Sequence, residues 1–83
     1  MSTLPSGAIK RYIAGQITAN ETNEVTLTVN QLEADSVIVY SLNTVGGTPA
    51  GAPYTSSKNT TTNTIGMKAA SGDTSVYDVL VFV

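Results

Sequence analysis

Residues 72–83, Gly-Asp-Thr-Ser-Val-Tyr-Asp-Val-Leu-Val-Phe-Val, read as a turn running into a β-strand. Side chains alternate along a strand, so Val76, Asp78, Leu80 and Phe82 share one face while Tyr77, Val79, Val81 and Val83 share the other. A strand apolar on both faces is expected inside a sheet, covered on two sides. The only comparable stretch is residues 36–44, Ser-Val-Ile-Val-Tyr-Ser-Leu-Asn-Thr, with Val37 and Val39 on one face and Ile38, Tyr40 and Leu42 on the other. The two are expected to pair at a sheet centre.

Working outward, residues 64–70 set Ile65, Met67 and Ala69 against Gly66, Lys68 and Ala70, the pattern of a strand with one wet side. Residues 24–30 do the same, with Val25, Leu27 and Val29 apolar and Glu24, Thr26, Thr28 and Asn30 polar. Residues 54–58 form a short edge strand, and residues 8–18 form one bent strand or two short ones, broken near Gly15. A helix over residues 8–17 is disfavoured by Gly15 and the β-branched side chains. Lys10 and Arg11 point to opposite faces, which suits a sheet edge. Between the strands lie polar turns at residues 19–23 and 59–63, a short connection at 31–35 in which Leu32 turns inward, and a loop at 45–53. That loop holds three Gly and two Pro in nine positions, so it cannot be strand interior or helix. Residues 1–7, with Pro5 and Gly7, read as an extended arm.

The sum is an all-β chain of six to seven short strands in one domain over residues 1–83, a small antiparallel β-sandwich or barrel of jelly-roll type. Eighty-three residues make one domain, not two. A core of this size contributes about 3–5 kcal/mol of net stability, so reinforcement is expected. With Cys 0 and His 0, disulfides and the usual zinc and haem ligand sets are excluded, and burial against neighbours is the remaining source.

Charged residues are 12% of the chain, low for a globular domain, and the formal net charge is -2. Lys10, Arg11, Lys58 and Lys68 are the only cations, too few for nucleic acid or an anionic membrane surface to be the expected partner. Nucleophilic catalysis by Ser or Thr normally requires a His base, and a glycosidase would need a carboxylate pair, for which Asp73 and Asp78 are the nearest candidates. The simpler reading makes Asp73 a cap of the Gly72 turn through an Asx-type bond and Asp78 a strand position near solvent or a subunit boundary. No enzyme activity, cofactor or metal is therefore expected. Of the aromatics, Tyr12, Tyr40, Tyr77 and Phe82 lie on expected strands and suit core or interface packing. Tyr54, beside Pro53 at a loop end, is the one candidate for an exposed platform.

The stretch 41–54, Ser-Leu-Asn-Thr-Val-Gly-Gly-Thr-Pro-Ala-Gly-Ala-Pro-Tyr, followed by residues 72–83, resembles small virion proteins of tailed bacteriophages. The likeness is to β-sandwich decoration or cement proteins and related fibre and tail modules, and it covers roughly residues 35–83. It implies a homotrimer on the outer capsid surface, made in the host cytoplasm and bound to the major capsid protein, with no catalytic residues to carry over. Leu4, Pro5, Ile9, Lys10, Arg11, Tyr12 and Tyr54 are the expected partner-binding residues. The alternative is a carbohydrate- or host-binding module of a phage tail or fibre, reading its ligand through Tyr54.

Overall fold

The structure, a computed structural model, describes residues 12–82. The expected arm and five of the named partner residues, Leu4, Pro5, Ile9, Lys10 and Arg11, lie outside the described residues. Within them there are six strands and no helix: β1 (Tyr12–Thr18), β2 (Val25–Thr28), β3 (Val37–Thr44), β4 (Tyr54–Asn59), β5 (Thr64–Lys68) and β6 (Val76–Phe82). They form two antiparallel sheets of three, ordered β1-β6-β3 and β2-β5-β4, with no barrel closure.

One apolar stripe from each sheet meets in a single core. Ile17 from β1, Ile65 and Met67 from β5, and Tyr77, Val79 and Val81 from β6 are all buried there, joined by Ala19, Val29, Leu32 and Ala69 from the connections. Full burial of a Val, Ile or Met side chain contributes about 1.5–3 kcal/mol, so this stripe drives folding. The alternation in residues 24–30 and 64–70 lands as expected, with Val25, Leu27 and Val29 turned to the core and Ile65, Met67 and Ala69 buried. The Tyr40 hydroxyl and Thr55 Oγ1 form a hydrogen bond of 2.7 Å between β3 and β4.

The expected pairing of the two doubly apolar strands is present: Val39 lies opposite Leu80 and Tyr40 opposite Val79. The expectation that both sit centrally is corrected. With three strands per sheet only β6 is central and β3 is an edge. Nor is either strand covered on two sides among the described residues: Val37 and Val39 stay 53% and 43% exposed, and the second face of β6 is half-buried.

What fixes the loops at one end is the turn before β6. The inward alternation of β6 continues backward through Ser75 and Asp73, so two polar side chains with no solvent exposure extend the row of Tyr77, Val79 and Val81. Asp73 Oδ1 accepts the Ser75 N–H at 2.9 Å, the expected Asx-type bond, and Oδ2 accepts the Tyr77 hydroxyl at 2.5 Å. Burial alone would raise the Asp73 carboxyl, but the bonds from Tyr77 and Ser75 outweigh it and hold it below its ordinary 3.8. Burial, followed by donation to Asp73, raises Tyr77 above its ordinary 10.0.

Backbone groups of the same turn tie down two other loops. Ser75 O accepts from Ala19 N at 2.9 Å and Asp73 O from Glu21 N at 2.9 Å, which secures the β1–β2 connection. Thr48 N donates to Gly72 O at 2.8 Å and Thr74 N to Gly46 O at 3.1 Å, which secures the Gly/Pro loop. Gly46 packs so close that a Cβ there would fall 2.5 Å from Thr74 O. At Gly47, φ is +61° and a Cβ would collide with the Gly72 carbonyl oxygen, so both conformation and space demand glycine.

Two stability predictions follow from this turn. Gly47→Ala should cost at least about 2 kcal/mol in urea unfolding, whereas Gly15→Ala, whose Cβ would meet Leu27 at an ordinary 3.5 Å, should change stability by under about 0.5 kcal/mol. Because the Asp73 pKa is depressed, its contribution is complete above pH 3.8 and is lost as pH falls through the folded-state value. Because that of Tyr77 is raised, its contribution is complete below pH 10.0 and lost as pH rises through the folded-state value. Tyr77→Phe should cost about 1.5–3 kcal/mol at neutral pH and flatten the fall in stability at both extremes, measured by denaturant titration across pH.

Candidate functional site

Each sheet turns one face to the core and one outward, and the two outward faces differ in chemistry. On β1-β6-β3 the outward rows follow the pairing register: Tyr12, Phe82 and Val37 in one row, then Ala14, Leu80 and Val39, then Gln16, Asp78 and Ser41. The first two rows are wholly apolar. Tyr12 is 60% exposed, and its ring meets that of Phe82 at a centroid distance of 6.2 Å with the planes tilted by 51°.

The third row closes this patch with a polar rung. Gln16 Nε2 donates to Asp78 Oδ1 at 3.1 Å, and Asn43 Nδ2 donates to Oδ1 and Oδ2 at 3.2 and 3.1 Å. Asn43 reaches Asp78 because β3 is irregular between Leu42 and Thr44. The one carboxylate on these rows is thus held by amide donors from both flanking strands, beside apolar rows that have no such partners.

The outward face of β2-β5-β4 is polar. Tyr54 on β4 lies opposite Lys68 on β5, and Glu24 immediately precedes β2 on the other side of Lys68. Glu24 reaches over Gly66 to β4, where Ser56 and Ser57 both donate to its Oε2. Two sequence features make this reach possible. Gly66 has no side chain in the path, and the register shift between Thr55 and Ser57 brings consecutive serines to the same carboxylate. The Ser56 and Ser57 hydrogen bonds, with a smaller pull from Lys68, hold the Glu24 carboxyl below its ordinary 4.5 despite some desolvation.

Of the expected partner residues that are described, Tyr12 and Tyr54 are both exposed, at 60% and 57%, but they stand on different sheets and are not brought together. Of the two places expected for Tyr12, core or interface, the core is not the one it takes: its neighbour Ile13 packs against the core and Tyr12 faces out. Tyr54 is exposed, as the sequence suggests. Asp73 and Asp78 do not form a carboxylate pair, since the first is buried and the second belongs to the outward rung. Among the described residues no group of three or more His, Cys, Asp or Glu side chains is placed to hold a metal ion. The Glu24 bridge was not singled out from the sequence; Gly66 inside an otherwise regular strand pattern was the available signal.

No family model, no curated protein and no solved structure matches the chain.

The bridge makes a local prediction. Gly66→Ala should push the Glu24 carboxylate off Ser57 and raise its pKa towards 4.5, read by NMR titration, and Ser57→Ala should do the same to a lesser extent.

Proposed function

We infer that the chain is a structural virion protein of a tailed bacteriophage, a decoration or cement protein that reinforces a capsid by bridging neighbouring capsomers. The observation that carries this reading is the apolar patch of Tyr12, Val37, Val39, Leu80 and Phe82, which nothing covers among the described residues. In this reading the two sheets stack as a sandwich, and three copies meet through the β1-β6-β3 faces. A small core then acquires the burial it lacks, and association that engages only the folded form stabilises it by mass action. The edge strands β1 and β3 gain cover from neighbouring copies, which guards against open-ended pairing.

Residues 1–11 lead directly into Tyr12 at one end of the patch. With Leu4, Pro5 and Ile9 as apolar anchors and Lys10 and Arg11 as the only cations near that end of the sequence, this segment is assigned to the major capsid protein.

Deletion of residues 1–8 should abolish co-sedimentation with capsid shells and leave the β circular-dichroism spectrum intact. Shell occupancy equal to that of the full chain would remove the role given to the N-terminal segment.

A further inference from the structure

We propose that the three connections at one end of the molecule, residues 19–23, 45–53 and 72–75, form an acid-released latch: protonation of the Asp73 carboxylate lets them open together while the strands stay paired. The latch is a property of the single chain and stands apart from the partners assigned above.

Two of these connections are held by hydrogen bonds rather than by burial. Residues 20–24 are exposed throughout, and no residue of 45–53 is buried. Segments of this kind open locally at small cost once their hydrogen bonds go. The bonds that hold them converge on the 72–75 turn. Ala19 N and Glu21 N donate to Ser75 O and Asp73 O, Thr48 N donates to Gly72 O, and Thr74 N donates to Gly46 O. Ser75 Oγ accepts from Gly46 N at 3.0 Å and donates to Gly46 O at 3.1 Å. The first connection is also kept in a costly conformation. Glu21 has a φ of 56°, in the left-handed region that side-chain-bearing residues seldom adopt. It is pinned there by Ala69 N on its carbonyl oxygen and Gly72 N on its Oε1, each at 3.1 Å. Release of the turn lets it relax.

Asp73 is the group that can undo all of this at once. Its side chain has no solvent exposure, Oδ1 accepts from Ser75 N, and Oδ2 accepts from the Tyr77 hydroxyl. Hydrogen bonds to a charged acceptor are roughly twice as strong as neutral ones, and protonation forfeits that gain. The new carboxyl O–H also needs an acceptor. The Ser75 N–H cannot serve, and the Tyr77 hydroxyl serves only by reversing its own bond.

The groups around Asp73 leave it as the responsive one. Tyr77 faces it from β6 and Glu21 from the β1–β2 connection, while residues 45–53 and 69–71 bring no titratable side chain. The described cations are engaged elsewhere, Lys58 Nζ on Ala34 O and Ser36 O and Lys68 opposite Tyr54. Burial opposes the Asp73 charge, and the bonds from Tyr77 and Ser75 outweigh it, so the closed form holds its full advantage above pH 3.8 and loses it as pH falls from there towards the folded-state value. Tyr77, raised above 10.0, stays protonated throughout this range.

The test is NMR hydrogen exchange of the full chain from about pH 6 down to about pH 2, each rate corrected for the intrinsic exchange of its amide. The opening constants of Ala19, Glu21, Thr48 and Thr74 should be flat above pH 3.8 and rise together below it, with a slope of up to about tenfold per pH unit, while Val79 and Val81 on the central strand keep their protection. Asp73→Asn should open the same four amides by about tenfold or more at pH 6 and remove their acid response; Glu21→Gln, which keeps an acceptor for Gly72 N, should leave the response in place. If Asp73→Asn does not fold, the pH series of the native chain and of Glu21→Gln decides. Protection lost at Val79 and Val81 in step with the four loop amides, different pH dependence for residues 19 and 21 than for 48 and 74, no rise below pH 3.8, or a response abolished by Glu21→Gln would each overturn the latch.

Discussion

The buried carboxylate of Asp73 is the constraint on which the loop end of the molecule depends. It sits in the inward row of β6, where burial of an unpartnered charge would be prohibitive, and it is tolerated because Tyr77 and Ser75 donate to it. Those bonds give the 72–75 turn one geometry. The turn in turn supplies backbone partners to residues 19 and 21 on one side and to residues 46 and 48 on the other. The apolar core accounts for most of the burial; this polar network decides how three connections are arranged around it.

That arrangement leaves the two outward faces free to differ. The β1-β6-β3 face ends its apolar rows at a rung in which Asp78 is already held by Gln16 and Asn43, so covering the rows need not leave that carboxylate without partners. On β2-β5-β4 the missing side chain of Gly66 and the irregularity in β4 let Glu24 cross the sheet and meet two serines. One outward face carries apolar rows and the other a hydrogen-bonded carboxylate. Both follow from which strand positions carry side chains large enough to pack and which do not.

Much of this was legible in the sequence because it rests on alternation. The inward sets of residues 24–30 and 64–70, the inward turn of Leu32, the edge position of residues 54–58 and the pairing of the two doubly apolar strands all follow from period-two patterning and turn composition. What alternation cannot supply is which face of a doubly apolar strand goes inward. Val37 and Val39 are as apolar as Ile38 and Tyr40, and only the packing of the second pair against the core leaves the first pair outside. The depth of Asp73 was missed for a related reason: an Asp after Gly reads as a turn cap, and its alignment with Ser75 and Tyr77 counts only once the inward face is known. The Glu24 bridge depends on an irregular step in β4 that residue spacing does not reveal.

The central claim is that the exposed rows of β1-β6-β3 are where copies of the chain meet. Sedimentation equilibrium of the full chain tests it most directly, run beside Val39→Asp at matched concentrations. The account predicts a species three times the 8.6 kDa chain mass for the native sequence and a folded single-chain species for the variant. A native chain that sediments as a folded monomer throughout the concentration series would contradict it.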